Sequence, residues 1–268
     1  MSIPTLIGVP FDAASSFRRG AAAAPGAIRA ALTSPAGNSW TEGMVDLGAP
    51  GILADAGDVS GLDPRTAHAS IEQAVGKLAA SGARPVVLGG DHSISYPVLR
   101  GLRPHHPLLS VLHIDAHPDL YDEFEGDKFS HACPFARVLE ERLAHELVQV
   151  GIRTMTGHQR AQAARFAVDV IDMDAWTEGR RPRLAHPVYL SIDLDGFDPA
   201  HCPGVSHPEP GGLTVRDFLF MLHRLNVPIV GADIVELNPE QDPAGLTARV
   251  AAKLVKEIVG HMHRSTVP

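Results

Sequence analysis

A three-layer α/β/α fold around a mainly parallel sheet is what this chain predicts, on three observations. Apolar runs of strand length recur along the whole sequence, amphipathic stretches of helical period separate them, and residues with metal-binding chemistry follow directly after several of the runs. Strands covered on both faces read as continuous apolar segments, whereas half-exposed strands alternate apolar with polar; the runs here are of the continuous kind.

In chain order, strands are expected at residues 5–9, 85–88, 108–114, 147–150, 168–171, 188–192 and 229–234, with helices between them. Asp63-Pro64 places a capping residue before a first-turn proline. The helix it opens carries the stripe Ile71, Ala74, Val75 and Leu78, and Gly82 stops it. A second helix opens at Thr214, with Asp217 at capping-box spacing, and buries Phe218, Leu219 and Leu222. A last helix runs from about residue 247 to 262, with Val250, Leu254, Val255 and Ile258 on one side. No Ser/Gly/Pro linker and no solenoid repeat divides the chain, so residues 1–268 are expected to form a single domain.

Composition excludes several function classes. Hydrophobic residues at 44% and charged residues at 20% describe a globular chain rather than a disordered one. Lys plus Arg number 23 against 31 Asp plus Glu, a net charge of −8, which argues against a nucleic-acid partner. No apolar stretch approaches the roughly 20 residues of a membrane span, so no membrane partner is expected. The start Met1-Ser2-Ile3-Pro4 lacks the features of a secretory signal, and two cysteines, Cys133 and Cys202, make no disulfide framework. A cytoplasmic location is the expectation, with Cys133 as a packing residue.

Three segments concentrate the chemistry: Gly89-Gly90-Asp91-His92, Asp115-Ala116-His117-Pro118-Asp119 and Asp193-Leu194-Asp195. On extended backbone, residues two apart point to the same face, so each segment presents its side chains to one place. Each follows an expected strand, and the carboxyl edge of an open α/β sheet is where such folds carry their sites. Taken singly, an aspartate after an apolar run caps a helix or a turn. Taken together, clustered carboxylates without cations would repel one another and resist desolvation. His92, Asp115, His117, Asp119, Asp193 and Asp195 are therefore candidate metal ligands. Their nitrogen and oxygen donors, with no thiolate, suit a pair of divalent ions such as manganese better than a structural zinc, and point to a two-metal hydrolase.

These segments, with Ser191-Ile192-Asp193-Leu194-Asp195-Gly196-Phe197-Asp198-Pro199, Pro208-Glu209-Pro210-Gly211-Gly212-Leu213 and Gly231-Ala232-Asp233-Ile234-Val235-Glu236-Leu237-Asn238-Pro239, resemble the ureohydrolase family of arginases, agmatinases and guanidino-acid relatives. Gly20, Pro25, Ile28 and Arg29 extend the likeness to the start of the chain. The stretch from Asp119 through His131 to Glu140 is most similar to plant-type arginases and bacterial agmatinase-like proteins. Ala132, where glycine is common, and Val205-Ser206-His207, where many relatives have Thr-Gly-Thr, depart from the pattern and bear on substrate choice.

The resemblance implies an arginase-like fold and two Mn²⁺ per subunit, for hydrolysis of a small guanidino substrate, agmatine or arginine, to urea and a primary amine. It implies one ion on His92, Asp115, Asp119 and Asp193 and another on His117, Asp115, Asp193 and Asp195, with Asp115 and Asp193 bridging. Asp119 would carry protons, Glu236 would pair with the guanidinium, His131 would shuttle protons or touch substrate, and His207 would border the pocket. A homo-oligomer, trimer or hexamer, is also implied. The acidic loop of Asp122, Glu123, Glu125 and Asp127 favours a cationic substrate. Alternatives are another guanidino acid or guanidine itself as substrate, a one-metal amide hydrolase in which His92 and Asp119 would be surplus, and a non-catalytic metal-binding scaffold. Loss of ligands would mark the scaffold, and all six positions are filled.

Overall fold

The seven apolar runs become strands and an eighth, β2, joins them: β1 (Pro4–Gly8), β2 (Ala54–Asp58), β3 (Arg84–Leu88), β4 (Ser110–Ile114), β5 (Glu146–Ile152), β6 (Asp169–Asp172), β7 (Val188–Asp193) and β8 (Ile229–Val235). The structure, a computed structural model, describes residues 2–264; Met1, the first residue of the start considered above, and residues 265–268 lie outside it. Every strand pair is parallel, in the order β2-β1-β3-β8-β7-β4-β5-β6. The helices are α1 (Ala24–Leu32), α2 (Ala67–Ala80), α3 (Ser95–Leu102), α4 (Pro134–Glu140), α5 (Gly157–Arg165), α6 (Met173–Thr177), α7 (Val215–Leu222) and α8 (Leu246–Arg264).

Successive side chains of a strand point to opposite faces, and the sheet accordingly separates two cores. On one face Val86, Leu88, Leu112, Ile114, Leu190, Ile192 and Ile234 pack with Ile28 of α1, Phe218 and Leu222 of α7, and Leu254, Val255 and Ile258 of α8. On the other, Val87, Val111, Tyr189 and Val235 meet Ile71 and Val75 of α2, Leu99 and Leu102 of α3, and Phe135 and Val138 of α4. Burying each such aliphatic side chain contributes about 1.5–3 kcal/mol, which makes these two layers the main source of stability. The expected three-layer α/β/α arrangement is the one observed, and its sheet is wholly parallel.

Two elements differ from expectation. β2 has the sequence Ala-Asp-Ala-Gly-Asp, exposed throughout, at the sheet's edge. It has no β-branched or aromatic residue to signal a strand, and pairing with β1 alone forms it. Asp63-Pro64 stands ahead of α2 rather than in it: Asp63 Oδ1 accepts from the Arg65 N–H at 2.9 Å, an Asx-type turn that leads into a helix beginning at Ala67. The α7 capping box forms as expected, with Thr214 Oγ1 accepting from Asp217 N–H at 3.0 Å and Asp217 Oδ2 from Thr214 N–H at 2.9 Å. Among the described residues, no helix is long and apolar enough to cross a membrane.

Candidate metal centre and active site

Register brings the three segments together. Leu88, Ile234, Ile192 and Ile114 form one row across β3, β8, β7 and β4, the middle of the sheet. The chain just beyond that row supplies Asp193 and Asp115 from neighbouring strands, His92 from the turn after β3 and Glu236 from the turn after β8. Gly90 is required by close approach: a Cβ there would lie 1.6 Å from the Phe11 carbonyl oxygen, which accepts from Asp91 N–H at 2.9 Å. Asp91 then caps the short 3₁₀ turn His92–Ile94 by accepting from Ser93 N–H at 3.1 Å, and takes Ala14 N–H at 2.9 Å. Gly196 likewise lets its turn press on β4, with a Cβ there only 2.8 Å from Asp115 N.

The six candidate ligands converge. His92 Nδ1 lies 3.2 Å from Asp115 Oδ2, 3.1 Å from Asp119 Oδ2 and 3.1 Å from Asp193 Oδ2. His117 Nδ1 lies 3.4 Å from Asp115 Oδ1 and 3.2 Å from Asp195 Oδ2. The two oxygens of Asp115 thus face different histidines, the arrangement a bridging carboxylate needs. Asp115, Asp119, Asp193 and Asp195 are all buried.

Burial and close approach make these groups shift one another's protonation. Burial opposes a charge on His92, yet Asp115, Asp119 and Asp193 raise its pKa well above the usual value. His117 is disfavoured by burial but pushed up to about 12 by Asp195 and Asp115. Burial and then the charges of Asp195 and Asp115 push Asp193 well up; burial and Asp115 push Asp195 to about 6. Asp115 is held well down, against its burial, by His113, His117 and His92. A desolvated site of this charge is one that divalent cations fit, through its carboxylate and imidazole donors.

Beneath the ligands runs a polar row that the sequence reading did not single out. Gln149, His113, Ser191 and Asp233 are cross-strand neighbours on β5, β4, β7 and β8. Gln149 Nε2 donates to Pro118 O at 2.6 Å and to His113 Nδ1 at 3.0 Å. His113 therefore carries its proton on Nε2 and donates it to Asp115 Oδ2 at 2.8 Å. Ser191 Oγ donates to Asp233 Oδ1 at 2.7 Å, so its oxygen accepts from His92 Nε2 at 3.0 Å and leaves Nδ1 to the ligand cluster. The Ser95 and Tyr189 hydroxyls each donate to Asp233 Oδ2 at 2.7 Å. His113 is near enough to His92, Asp115 and Asp119 to share an ion with them, but both its ring nitrogens are engaged, so it supports Asp115 instead. A signal existed: His113 and Ser191 stand two residues before Asp115 and Asp193, on the same strand face.

Glu236 and Asp119 adopt positive φ, 64° and 50°, a left-handed conformation that costs a non-glycine residue about 1–2 kcal/mol and that clusters at functional sites. Glu236 Oε1 accepts from His92 N–H at 2.8 Å and lies 3.1 Å from His131 Nδ1. Its carboxyl is held down despite burial, chiefly by His131 and the His92 N–H. His131 is opposed by burial but raised to about 9 by Glu236, Asp119 and Asp91. The Ser16 N–H, 3.3 Å from His131 Nε2, favours instead the neutral ring with its proton on Nδ1. Contact with Glu236 is the stronger influence while that carboxylate has no other cation.

A cavity of about 210 Å³ collects His117, Asp119, His131, Asp193, Asp195, His207 and Glu236, with Ser16, Tyr121, Phe124, Ala132, Thr154, Thr156 and Gln159 completing the wall. The His207 ring lies tilted against that of His131, their centroids 5.2 Å apart, and burial with that neighbour lowers its pKa. A larger cavity, about 470 Å³, lined by His68, Tyr96 and Arg100 among others, contains none of the six ligands. The acidic loop departs from expectation. Asp122, Glu123, Glu125 and Asp127 are exposed and none lines the 210 Å³ cavity, because the turn closed by the Phe124–Asp127 bridge points Tyr121 and Phe124 there instead. Asp198 braces its loop, accepting from the N–H groups of Ala200 at 2.9 Å and Gly211 at 2.7 Å. His261 is buried in α8, which lowers its pKa to about 4.

A wholly parallel sheet with two His/Asp clusters at its carboxyl edge defines an α/β protein with a candidate metal centre. Residues 4–260 match the Arginase family, and the chain belongs to that family, hydrolases of guanidino C–N bonds. It is 44% identical to a protein of Arabidopsis thaliana named "Arginase 1, mitochondrial", over 97% of this chain and 81% of that one. The arginase structure from Medicago truncatula superposes with a TM-score of 0.91 at 44% identity, covering 97% of this chain and 87% of that one. The human "Guanidino acid hydrolase, mitochondrial" is 33% identical over 94% of this chain and 76% of its own length. These names correct the cytoplasmic expectation, since the plant relatives are mitochondrial by name. The features behind that expectation address secretion and disulfides, and neither separates cytoplasm from another reducing compartment.

Proposed function

We propose that the chain is a binuclear manganese ureohydrolase, converting a guanidino compound of the arginine or agmatine type to urea and a primary amine. The observation that supports it best is Asp115, whose oxygens divide between the His92 and His117 ligand sets. His92, Asp115, Asp119 and Asp193 would hold one ion, and His117, Asp115, Asp193 and Asp195 the other. Such a pair supplies a water activated as nucleophile near neutral pH and positive charge for the developing intermediate.

The chain's own residues do the rest. Glu236, kept anionic and fixed by the His92 N–H, receives the planar guanidinium through charge-assisted hydrogen bonds. That pairing displaces the cationic influence of His131 from Glu236, and leaves His131, backed by the Ser16 hydroxyl at 2.9 Å, to exchange a proton with the substrate. Asp119, on the cavity wall, takes the proton released as water adds to the central carbon and passes it to the leaving nitrogen when the C–N bond breaks. Residues 1–268 act as one domain, and the active form is a homotrimer or homohexamer.

Glu236→Gln tests the assignment. It should retain manganese and lose roughly 10- to 100-fold in kcat/KM, the scale of a charge-assisted contact; near-normal turnover would return Glu236 to a structural role. Metal analysis should find two manganese ions per chain in fully active protein, and one ion per chain would overturn the binuclear reading.

A further inference from the structure

Every acidic side chain lining the cavity is already used: Asp119, Asp193 and Asp195 for metal and Glu236 for the guanidinium. Thr154, Thr156 and Gln159 form a stretch of wall with no assigned work, where the chain leaves β5 and enters α5. Gln159 is only 3% exposed. Its Oε1 accepts from the Thr156 N–H at 3.1 Å and hydroxyl at 3.2 Å, and Thr156 Oγ1 accepts from the Gln159 N–H at 3.3 Å, a capping box. A backbone N–H can only donate, so the amide oxygen has to face it and the orientation of the amide is fixed. The Gln159 NH₂ group is thereby turned away from Thr156, and it meets no acceptor among the described residues. The NH₂ opens onto the cavity rather than being sealed in the protein, so it is free to donate to whatever group enters there. It stands in the first turn of α5, where the helix dipole favours negative charge.

We propose that this wall receives a carboxylate, so that the substrate is a guanidino acid rather than a guanidino amine with a second cation. The inference rests on the ureohydrolase reading and names the far end of its substrate. A carboxylate supplies the acceptor that the Gln159 NH₂ lacks and suits the positive end of α5. An ammonium has donors only; it would meet the NH₂ donor to donor, with no carboxylate on this stretch to neutralise it.

Three substrates change the charge of the far end and leave the guanidino group alone. Arginine has a carboxylate and an ammonium, 5-guanidinopentanoate a carboxylate only, and agmatine an ammonium only. On the manganese-loaded full chain, urea release from arginine and 5-guanidinopentanoate should exceed that from agmatine at least tenfold in kcat/KM, with the difference in KM. Gln159→Glu keeps an oxygen toward Thr156, so the capping box and the thermal midpoint are retained, and puts a second oxygen where the NH₂ was. It should lower kcat/KM for 5-guanidinopentanoate at least tenfold and raise it for agmatine. Calorimetry on the same protein with 5-aminopentanoate and 1,4-diaminobutane reads the wall without turnover, and the carboxylate should bind at least tenfold tighter. Release of no urea from any guanidino compound would defeat the ureohydrolase reading, while the calorimetric ratio would still decide the wall. A wild-type preference for agmatine, an unchanged preference in Gln159→Glu, or equal or absent binding of the two amines would overturn the proposal.

Discussion

The sheet's two faces use the same strands to opposite ends. Toward α1, α7 and α8, the middle strands offer Leu88, Leu112, Ile114, Leu190, Ile192 and Ile234, an aliphatic layer whose only demand is close packing. Toward α2, α3 and α4, the same strands offer Gln149, His113, Ser191 and Asp233, buried under the candidate ligands and joined by directed hydrogen bonds. The aliphatic face stabilises the sheet. The polar face adds less net stability per residue, because each hydrogen bond replaces one to water, but it fixes which nitrogen of His92 and which oxygen of Asp115 face a cation. A fold that must both persist and orient a cluster of candidate ligands divides those tasks between the faces.

Breaking the polar row at its anchor should have the largest effect. Asp233→Ala strips the acceptor from the Ser95, Tyr189 and Ser191 hydroxyls. A loss of about 3–5 kcal/mol is expected in chemical denaturation. Manganese affinity should fall roughly 10- to 100-fold, since Ser191 would no longer be held to receive the proton of His92 Nε2. Lost stability with unchanged manganese affinity would show that the row does not act through the ligands. On the aliphatic face, Leu112→Ala should cost about 3 kcal/mol by leaving a cavity. Manganese affinity there should stay within about twofold of wild type, and a larger change would mean the two faces are mechanically coupled.

The same division decides what could be read from the sequence. β3, β4, β7 and β8 were legible because their residues are apolar on both faces except near the site, and the ligands because carboxylates and histidines repeat at period two after those runs. The α7 capping box was legible because its hydrogen bonds are local. β2 was not, since five residues of Ala, Asp and Gly become a strand only by pairing with β1. The polar row was missed because its logic is lateral: Gln149 means nothing until register sets it beside His113. The acidic loop misled because charge in a segment does not say where the side chains point; the turn at Phe124–Asp127 turns them outward.

A smaller and more selective effect is expected at Gln149. Its Nε2 holds His113 in the tautomer that donates to Asp115, but its Oε1 is buried without a partner. Gln149→Leu removes both the useful donor and the unsatisfied acceptor, so the stability change should be small, about 1 kcal/mol or less. Without the donor, His113 can place its proton on Nδ1 and present a lone pair to Asp115. Manganese affinity should then fall roughly tenfold, measured by titration against the free-ion signal in electron paramagnetic resonance. Unchanged affinity would mean that Asp115 needs no support from this side, and the contrast with Leu112→Ala would disappear.

The smallest effect tests a buried carboxylate on the aliphatic side, away from the sheet. Glu257 of α8 is buried, and its Oε1 takes Lys253 Nζ at 2.7 Å and Glu42 N–H at 2.8 Å, with His223 Nε2 3.5 Å from Oε2. Burial raises its pKa, but Lys253 and the Glu42 N–H outweigh burial and hold it below the ordinary value. A carboxyl with a depressed folded pKa stabilises above its unfolded pKa, about 4.3, and loses that contribution as pH falls through the folded value. Glu257→Gln keeps an acceptor for Glu42 N–H but no charge for Lys253, so at pH 7 it should be less stable by about 1 kcal/mol. Denaturation of both proteins across a pH series should show this gap level down to about pH 5 and closing below about 4.3, where the protonated glutamic acid and the amide become equivalent. A gap that widens on acidification would mean that Glu257 is protonated in the folded protein, and that the pair with Lys253 contributes nothing to holding α8 on the sheet.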